Sequence, residues 1–257
     1  MSSRISLTFK KLTPTVLNNQ CRLCQKQAQL RNSHIVSEFL YDDLYNDKHQ
    51  LLGIHGQGPR GCQLIQKGIR EPLLCEVCEQ HINEYCEKPF RLQWYETSPL
   101  PLRWSPNDIH WSAFDYKSFK LFHLSIFFRA SVSSLPTYSA VSLGPHEERI
   151  RKMILARDPG PPWLFPIFGY AVVHDKTWTL TRIVSAPESI TLEGHRCYGM
   201  MFGGAYWLYG VSSHRNQTLE RAGLQADGRM PFHATPWNEI GVMQDAAAAL
   251  RSAKVSY

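Results

Sequence analysis

The sequence predicts an α+β protein, in which a cysteine-rich front part is followed by helices and then by a small antiparallel sheet. Six of the seven cysteines lie within the first 86 residues. Apolar residues at helical spacing occupy residues 116–134. Short aromatic and β-branched runs, separated by turn residues, fill residues 163–213 and are typical of strands.

Prolines mark the boundary between the two parts of the chain. Residues 97–107 read "TSPLPLRWSPN", and such a stretch is typical of a connection rather than of a helix or strand. We therefore predict one domain over residues 1–96 and a second over residues 108–257. Within the first, residues 50–69 carry five glycines and one proline, which indicates a loop or a loose hairpin.

The second part begins with two predicted helices. The segment "YKSFKLFHLSIFFRASVSS" (116–134) is apolar on broad faces, as expected of a buried helix. The segment "GPHEERIRKMILARDPG" (144–160) has Pro145 in its first turn and ends at Asp158-Pro159-Gly160. Arg129 lies inside the apolar helix, so we predict a structural ion pair with an acidic residue elsewhere in the chain.

The remaining elements are strands and a last helix. The runs "IFGYAVVH", "TWTLTRIV", "RCYGMMFGG" and "YWLYGVSS" predict an antiparallel meander. The alanine-rich segment "QDAAAALRSAK" predicts a helix over about residues 237–254.

Composition excludes several classes of protein. The 257 residues are 43% hydrophobic and 19% charged, which is globular rather than disordered. There is no run of about 18 apolar residues that would span a membrane. The first residues, "MSSRISLTFKKLTP", do not resemble a secretory signal, and we expect a cytoplasmic protein with no membrane partner. A net charge of +6 permits binding to nucleic acid without requiring it.

The cysteines form a metal-binding pattern. Cys21-x-x-Cys24 and Cys75-x-x-Cys78 can each present two thiolates from one turn, and four thiolates complete a tetrahedral zinc site. With every coordination position filled, such a zinc ion is structural. Two independent pairs of buried thiols are the alternative. Cys62 and Cys86 stand alone in the sequence, although either could replace one of the four ligands.

Around these cysteines the chain resembles the HNH endonucleases, the ββα-metal nucleases. The segment "SHIVSEF" (33–39) is similar to the "DHIVP" stretch of that family, and "REPLLCEVCE" (70–79) to its "NLVLLCxxCH" helix. The likeness covers about residues 20–85, roughly a quarter of the chain. It implies a zinc-bound treble clef at the N-terminus. The two predicted helical segments, within residues 116–134 and 144–160, look like parts of a family of uncharacterised bacterial proteins that share this cysteine-rich N-terminal part.

The resemblance also implies a site and an activity. His34 takes the place of the general base, and Glu79 the place of a ligand for a hydrolytic Mg²⁺ or Mn²⁺. Glu38 follows His34 by four residues and could share its face. The chain departs from the family at three places: Ser33 replaces an Asp or His, Glu79 replaces a His or Asn, and Arg70-Glu71 replaces an Asn.

Two functions follow from this and stay open on the sequence. The first is metal-dependent cleavage of nucleic acid, DNA in the first instance, with defence against foreign DNA as one use. The second is a non-catalytic, zinc-stabilised module that binds nucleic acid or a protein partner and retains a degenerate nuclease site. In the second case His34 is a hydrogen-bonded core histidine and Glu79 is a solvated or capping residue.

Overall fold

The protein is α+β: helices and mostly antiparallel sheets both occur along the chain. The computed structural model describes residues 19–54, 62–105, 107–175, 177–212 and 214–252. The front part contains β1 (Leu30–His34), β2 (Gln50–Ile54), β3 (Cys62–Gln66), β4 (Arg70–Cys75), α1 (Glu76–Ile82) and α2 (Lys88–Leu92). It is followed by β5 (Ile109–Ala113), α3 (Tyr116–Val132) and α4 (His146–Ala156). The rest consists of β6 (Ile167–His174), β7 (Trp178–Thr179), β8 (Glu188–Leu192), β9 (His195–Phe202), β10 (Ala205–Gly210), α5 (Gln217–Ala222), β11 (Arg229–Pro236) and α6 (Gly241–Ser252).

The front part is built on two antiparallel strand pairs. Strand β1 pairs with β4, so that Leu30 lies opposite Cys75 and His34 lies opposite Arg70. Strands β2 and β3 pair with each other and fall in the glycine-rich stretch for which the sequence allowed a loose hairpin. Helix α1 starts directly after β4. The front part therefore consists of the strand pair β1–β4 followed directly by α1, and the hairpin β2–β3 is inserted between β1 and β4.

Residues 76–97 are helical throughout. The α-helical segments α1 and α2 are each followed by a π-helical turn, Asn83–Glu87 and Gln93–Thr97. Pro89, in the first turn of α2, lacks the amide hydrogen that a regular helix would use, which accounts for one departure from α-helical bonding.

The C-terminal sheet has seven strands in the order β5-β11-β6-β10-β9-β8, with the short β7 beside β6. Its pairs are antiparallel except that β11 runs parallel to β6, so the sheet is mixed rather than wholly antiparallel as the sequence predicted. The parallel pair arises because the chain leaves β10, passes through α5 and returns on the far side of β6. Periodicity reports the existence of a strand and carries no information on this placement.

The segment "TWTLTRIV" forms much less strand than its composition predicts. Only Trp178 and Thr179 join the sheet, as β7. The backbone amides beyond them bond individually, Leu180 to the carbonyl of Val172 at 2.8 Å and Ser185 to that of Met201 at 2.9 Å. These bonds satisfy the backbone without continuing a ladder.

Helix α3 is the central element of the core. It is buried on all sides, as its continuous apolar sequence predicted, and its first turn is capped by Asp115, which accepts a bond from the Ser118 amide at 2.9 Å. Helix α4 ends at Ala156, and the next residue, Arg157, has a positive φ of 54° that breaks the helix just before the predicted stop.

A continuous core joins the front part to the sheet. Phe90 of α2 stacks on Phe122 of α3 with ring centroids 3.7 Å apart. The Trp94 indole donates to the carbonyl of Gly203, in the turn between β9 and β10, at 3.0 Å. The predicted boundary at residues 97–107 is therefore crossed by close packing, and the division into domains over residues 1–96 and 108–257 stays a prediction.

No helix in the described part of the chain is both long enough and apolar enough to cross a membrane.

Candidate metal centre and its surroundings

The first cysteine pair lies in a tight turn. The Cys21 amide donates to the carbonyl of Lys26 at 2.9 Å, and the Gln25 amide returns to the carbonyl of Cys21 at 2.8 Å. Gln25 adopts a positive φ of 62°, which closes the turn. The short loop therefore points the thiols of Cys21 and Cys24 to the same side.

The second pair lies where a strand becomes a helix. Cys75 ends β4 and caps α1, and Cys78 lies one turn further along the same helix. The Cys75 amide donates to the Sγ of Cys21 at 3.3 Å, and the Arg22 amide donates to the carbonyl of Leu73 at 3.0 Å. These two bonds hold the turn against the strand and so bring the pairs together.

The four sulfur atoms form one compact group. The Sγ atoms of Cys21, Cys24, Cys75 and Cys78 all lie within 4.8 Å of one another. Tetrahedral zinc with Zn–S bonds of about 2.3 Å requires S···S edges of about 3.8 Å. The Cys24 and Cys75 sulfurs are separated by 3.8 Å. The donor set and its spacing therefore fit a metal ion such as zinc.

The neighbouring thiols shift one another's pKa values in opposite directions. The hydrogen bond from the Cys78 thiol lowers the pKa of Cys21 to about 4, against the opposing effect of burial. The pKa of Cys78 is raised because its proton is held by Cys21 and because it is buried. A cation in the centre would replace this proton, since thiolates are the form that binds metal.

The other cysteines lie outside this group. Cys62 is in β3, and Cys86 is buried in the π-helical turn after α1, where burial raises the pKa of its thiol to about 12. Neither replaces one of the four clustered cysteines.

His34 ends β1 and is largely buried. Its Nε2 contacts the carboxylate of Glu38, which begins a short 3-10 helix, Glu38–Leu40. The same carboxylate accepts a bond from the Tyr45 hydroxyl at 2.9 Å. Burial lowers the pKa of His34, and the positive charges of Arg70 and Arg129 add to this while Glu38 opposes it. The lowered pKa favours the neutral imidazole, and the Glu38 carboxylate lies against its Nε2.

Glu79 lies against the neighbouring residue of β1, Ser33. The Ser33 hydroxyl accepts a bond from the Leu74 amide at 3.1 Å and donates to the Glu79 carboxylate. Adjacent residues of a strand point to opposite faces, so Ser33 and His34 face different surroundings. Burial raises the pKa of Glu79, and the bond from Ser33 opposes this rise.

The predicted catalytic residues are thus only partly brought together. His34 and Glu38 are in contact, whereas the contact of Glu79 is with Ser33. Across the described ranges, from residue 19 to residue 252 with their gaps, the cysteine cluster is the one group of three or more His, Cys, Asp or Glu ligands close enough to hold an ion. His34, Glu38 and Glu79 do not form such a group.

Arg129 connects α3 to this region. Its side chain is 1% exposed, and its Nη1 donates to the His34 carbonyl at 2.8 Å and to the Glu87 carboxylate at 3.0 Å. The Ser37 hydroxyl donates to the same carboxylate at 2.6 Å and accepts from Arg129 Nη2 at 3.3 Å. An Arg inside an apolar helix signals the need for an acid, but only the fold identifies Glu87 and Ser37 as its partners.

The residues that replace the family's Asn have separate surroundings. The Glu71 carboxylate accepts bonds from the hydroxyls of Ser133 and Ser134, which follow α3. Arg70 lies opposite His34 and acts on it as a nearby charge. Among the described residues Arg70 has no acidic partner within 4 Å.

The likeness to HNH endonucleases rests on the motifs "SHIVSEF" and "REPLLCEVCE". Comparison with known proteins found no matching protein family, no matching curated protein and no matching solved structure.

Proposed function

We propose that Cys21, Cys24, Cys75 and Cys78 bind one Zn²⁺ as a structural staple of a treble clef of the HNH type. The closeness of the four sulfurs, all within 4.8 Å of one another, supports this, and so does the preference of soft thiolates for zinc. A zinc ion there ties the N-terminal turn to the start of α1. A cytoplasmic location agrees with this, because reducing conditions keep the thiols free for metal.

We further propose that this unit binds nucleic acid without cleaving it. The carrying observation is the hydrogen bond between Ser33 and Glu79. These are the two positions at which the resemblance expects ligands for a hydrolytic metal. A neutral hydroxyl is a weak substitute for an Asp or His, and the pKa of the one remaining carboxylate is raised by burial. A hard divalent cation favours charged, accessible oxygen ligands.

Nucleic acid is the favoured partner because of the charge beside this site. The positive charge of Arg70 lies close enough to His34 to lower its pKa. Among the described residues the Arg70 guanidinium has no acidic partner within 4 Å, which leaves it available to a phosphate. The chain as a whole carries +6. Phosphate contacts supply most of the affinity in non-specific nucleic-acid binding.

Replacing Arg70 is expected to weaken this binding through a lost phosphate contact. Anisotropy of a short labelled DNA duplex or single strand, measured against salt, should show binding to the parent that falls as salt rises. Arg70→Gln should reduce the slope of log affinity against log salt by about 1. The matched control is Arg221→Gln, at an exposed position of α5. Absence of binding to either nucleic acid at low salt, or equal effects of both variants, would contradict the proposal.

A second candidate is hydrolysis of the HNH type, and the contact between His34 and Glu38 favours it. A neutral imidazole oriented by a carboxylate is suited to take a proton from an attacking water. Glu79 would be the protein ligand of Mg²⁺ or Mn²⁺. Such a cation, when bound, would stabilise the charge on the phosphate and the leaving oxygen. Cleavage of foreign DNA would be one use of this activity.

This candidate predicts metal-dependent nicking that His34→Ala reduces by about 10²–10⁴-fold, because the general base is lost. Glu79→Gln keeps an acceptor for Ser33 and should raise the concentration of Mg²⁺ needed. Both variants leave the four thiolates intact, so zinc content and folding are their internal controls.

The same assay separates the two candidate functions. If the parent protein binds DNA but does not cleave it with Mg²⁺ or with Mn²⁺, the result supports the binding module. Cleavage at the same rate by folded His34→Ala would exclude this site as its source. Ser33→Asp introduces the carboxylate that the family has beside the position of Glu79, and a gain of metal-dependent cleavage in this variant would show that only the ligand set is degenerate.

A further inference from the structure

A cavity of about 420 Å³ lies on the face of the C-terminal sheet opposite α3, because Trp207 packs on Phe119 of α3 and the adjacent strand residue, Tyr206, lines the cavity. It is lined from the sheet strands by Glu188, Tyr206, Tyr170 and Thr235, and from the chain leading into α6 by Glu239, which ends a 3-10 turn, and by Gly241, the first residue of α6. The volume falls within the range of small-ligand sites. The cavity is separate from the cysteine cluster and from His34, and it shares no lining residue with either.

The position of Glu188 depends on a missing side chain. The Tyr206 hydroxyl donates to the Glu188 Oε1 at 2.5 Å, and to do so its ring crosses Gly199 on the intervening strand β9. A Cβ at Gly199 would lie 1.8 Å from that hydroxyl, so only glycine admits this arrangement. The bond engages one oxygen of Glu188. The other, Oε2, faces the start of α6, 3.6 Å from where a Cβ on Gly241 would stand.

The cavity is acidic and aromatic although the protein is basic. Its lining contains two carboxylates, Glu188 and Glu239, two tyrosines and no Lys, Arg or His. In the part of the chain that the structure describes, neither carboxylate has a basic partner within 4 Å. Carboxylates beside aromatic rings are the combination that recognises a cationic group, by ion pairing and by cation–π attraction.

We propose that this cavity binds an organic cation, an ammonium or guanidinium group, between the carboxylate of Glu188 and the rings of Tyr170 and Tyr206. Glu239 at the rim adds a second negative charge. The cation has two sources of the same chemistry, a small diffusible amine or the side chain of a lysine or arginine in another protein.

Calorimetric titration tests this with n-butylammonium and n-butylguanidinium against the neutral n-butanol. We expect saturable binding of at least one cation and none of the alcohol. Glu188→Gln keeps the acceptor for Tyr206 but removes the charge, and it should weaken binding by about tenfold or more. The matched control is Glu96→Gln, an exposed position in the π-helical turn after α2.

A second variant tests the place of binding without altering a charge. Gly241→Leu adds a side chain where the Cβ makes ordinary contact with Glu188 and where the backbone is not strained, so it should fill the cavity and abolish binding. A peptide with one arginine between neutral residues identifies the source. Tighter binding of the peptide than of n-butylguanidinium indicates a partner's side chain, and equal or weaker binding indicates a small amine.

Three results would overturn the proposal. The first is that the parent binds neither cation better than n-butanol. The second is an equal loss of affinity in Glu188→Gln and Glu96→Gln, and the third is unchanged affinity in folded Gly241→Leu. Circular dichroism of each variant establishes that it is folded.

Discussion

Cys75→Ser is expected to release the zinc and to unfold the front part of the protein. Cys75 ends β4 and directly precedes α1, and its loss leaves three thiolates crowded within a few ångströms of one another. Because the binding free energy of a structural zinc is also folding free energy, the loss of stability should be on the order of 5 kcal/mol or more. Zinc content by atomic emission and unfolding in urea measure the two effects.

Cys62→Ser is the matched control for this experiment. Cys62 lies in β3, outside the cysteine cluster, and the variant should keep its zinc and nearly all of its stability. Parent protein that purifies folded with no zinc would refute the staple. So would a Cys75→Ser variant whose unfolding midpoint equals that of the parent.

Arg129→Met is expected to cost about 3–5 kcal/mol, the second largest effect. Arg129 is buried, and its removal leaves the Glu87 carboxylate without its cation and the His34 carbonyl without a donor. The shift of the urea midpoint at constant slope measures the change in the free energy of unfolding.

A second substitution separates lost packing from lost charge pairing. Glu87→Gln in the Arg129→Met background removes the uncompensated carboxylate and should recover part of the lost stability. Arg221→Met, at an exposed position, should change stability by less than about 0.5 kcal/mol. A small effect of Arg129→Met, comparable to that of Arg221→Met, would show that the network adds little to folding.

The cysteine cluster is the part of the candidate site that local sequence describes best. A CxxC pair fixes the geometry of its own turn, so each half could be expected from spacing alone. Which of six nearby cysteines combine depends on the pairing of β1 with β4 and on the amide of Cys75, which bonds to the sulfur of Cys21. Those contacts join residues about 50 positions apart, and periodicity does not report them.

The surroundings of His34 depended still more on the fold. The four-residue spacing suggested Glu38 as a neighbour, and the two residues are in contact. The sequence alone could not place His34 relative to Glu79. Glu79 contacts Ser33, which lies on the opposite face of β1 from His34, and which face meets α1 is decided by the tertiary structure. The pair of Ser33 and Glu79 is recognisable only once β1, β4 and α1 are packed.

The sequence by itself determined the α+β class, the buried central helix, its need for an ion pair and the two halves of the candidate metal site. These depend on local spacing and on hydrophobic periodicity, which act within one element. The tertiary structure alone decided the parallel pairing of β11 with β6, Glu87 as the partner of Arg129 and the acidic cavity beside the start of α6. Each of these is a contact between segments that are distant in the sequence. Which segments meet depends on how whole helices and strands pack, and one local sequence pattern is compatible with several packings.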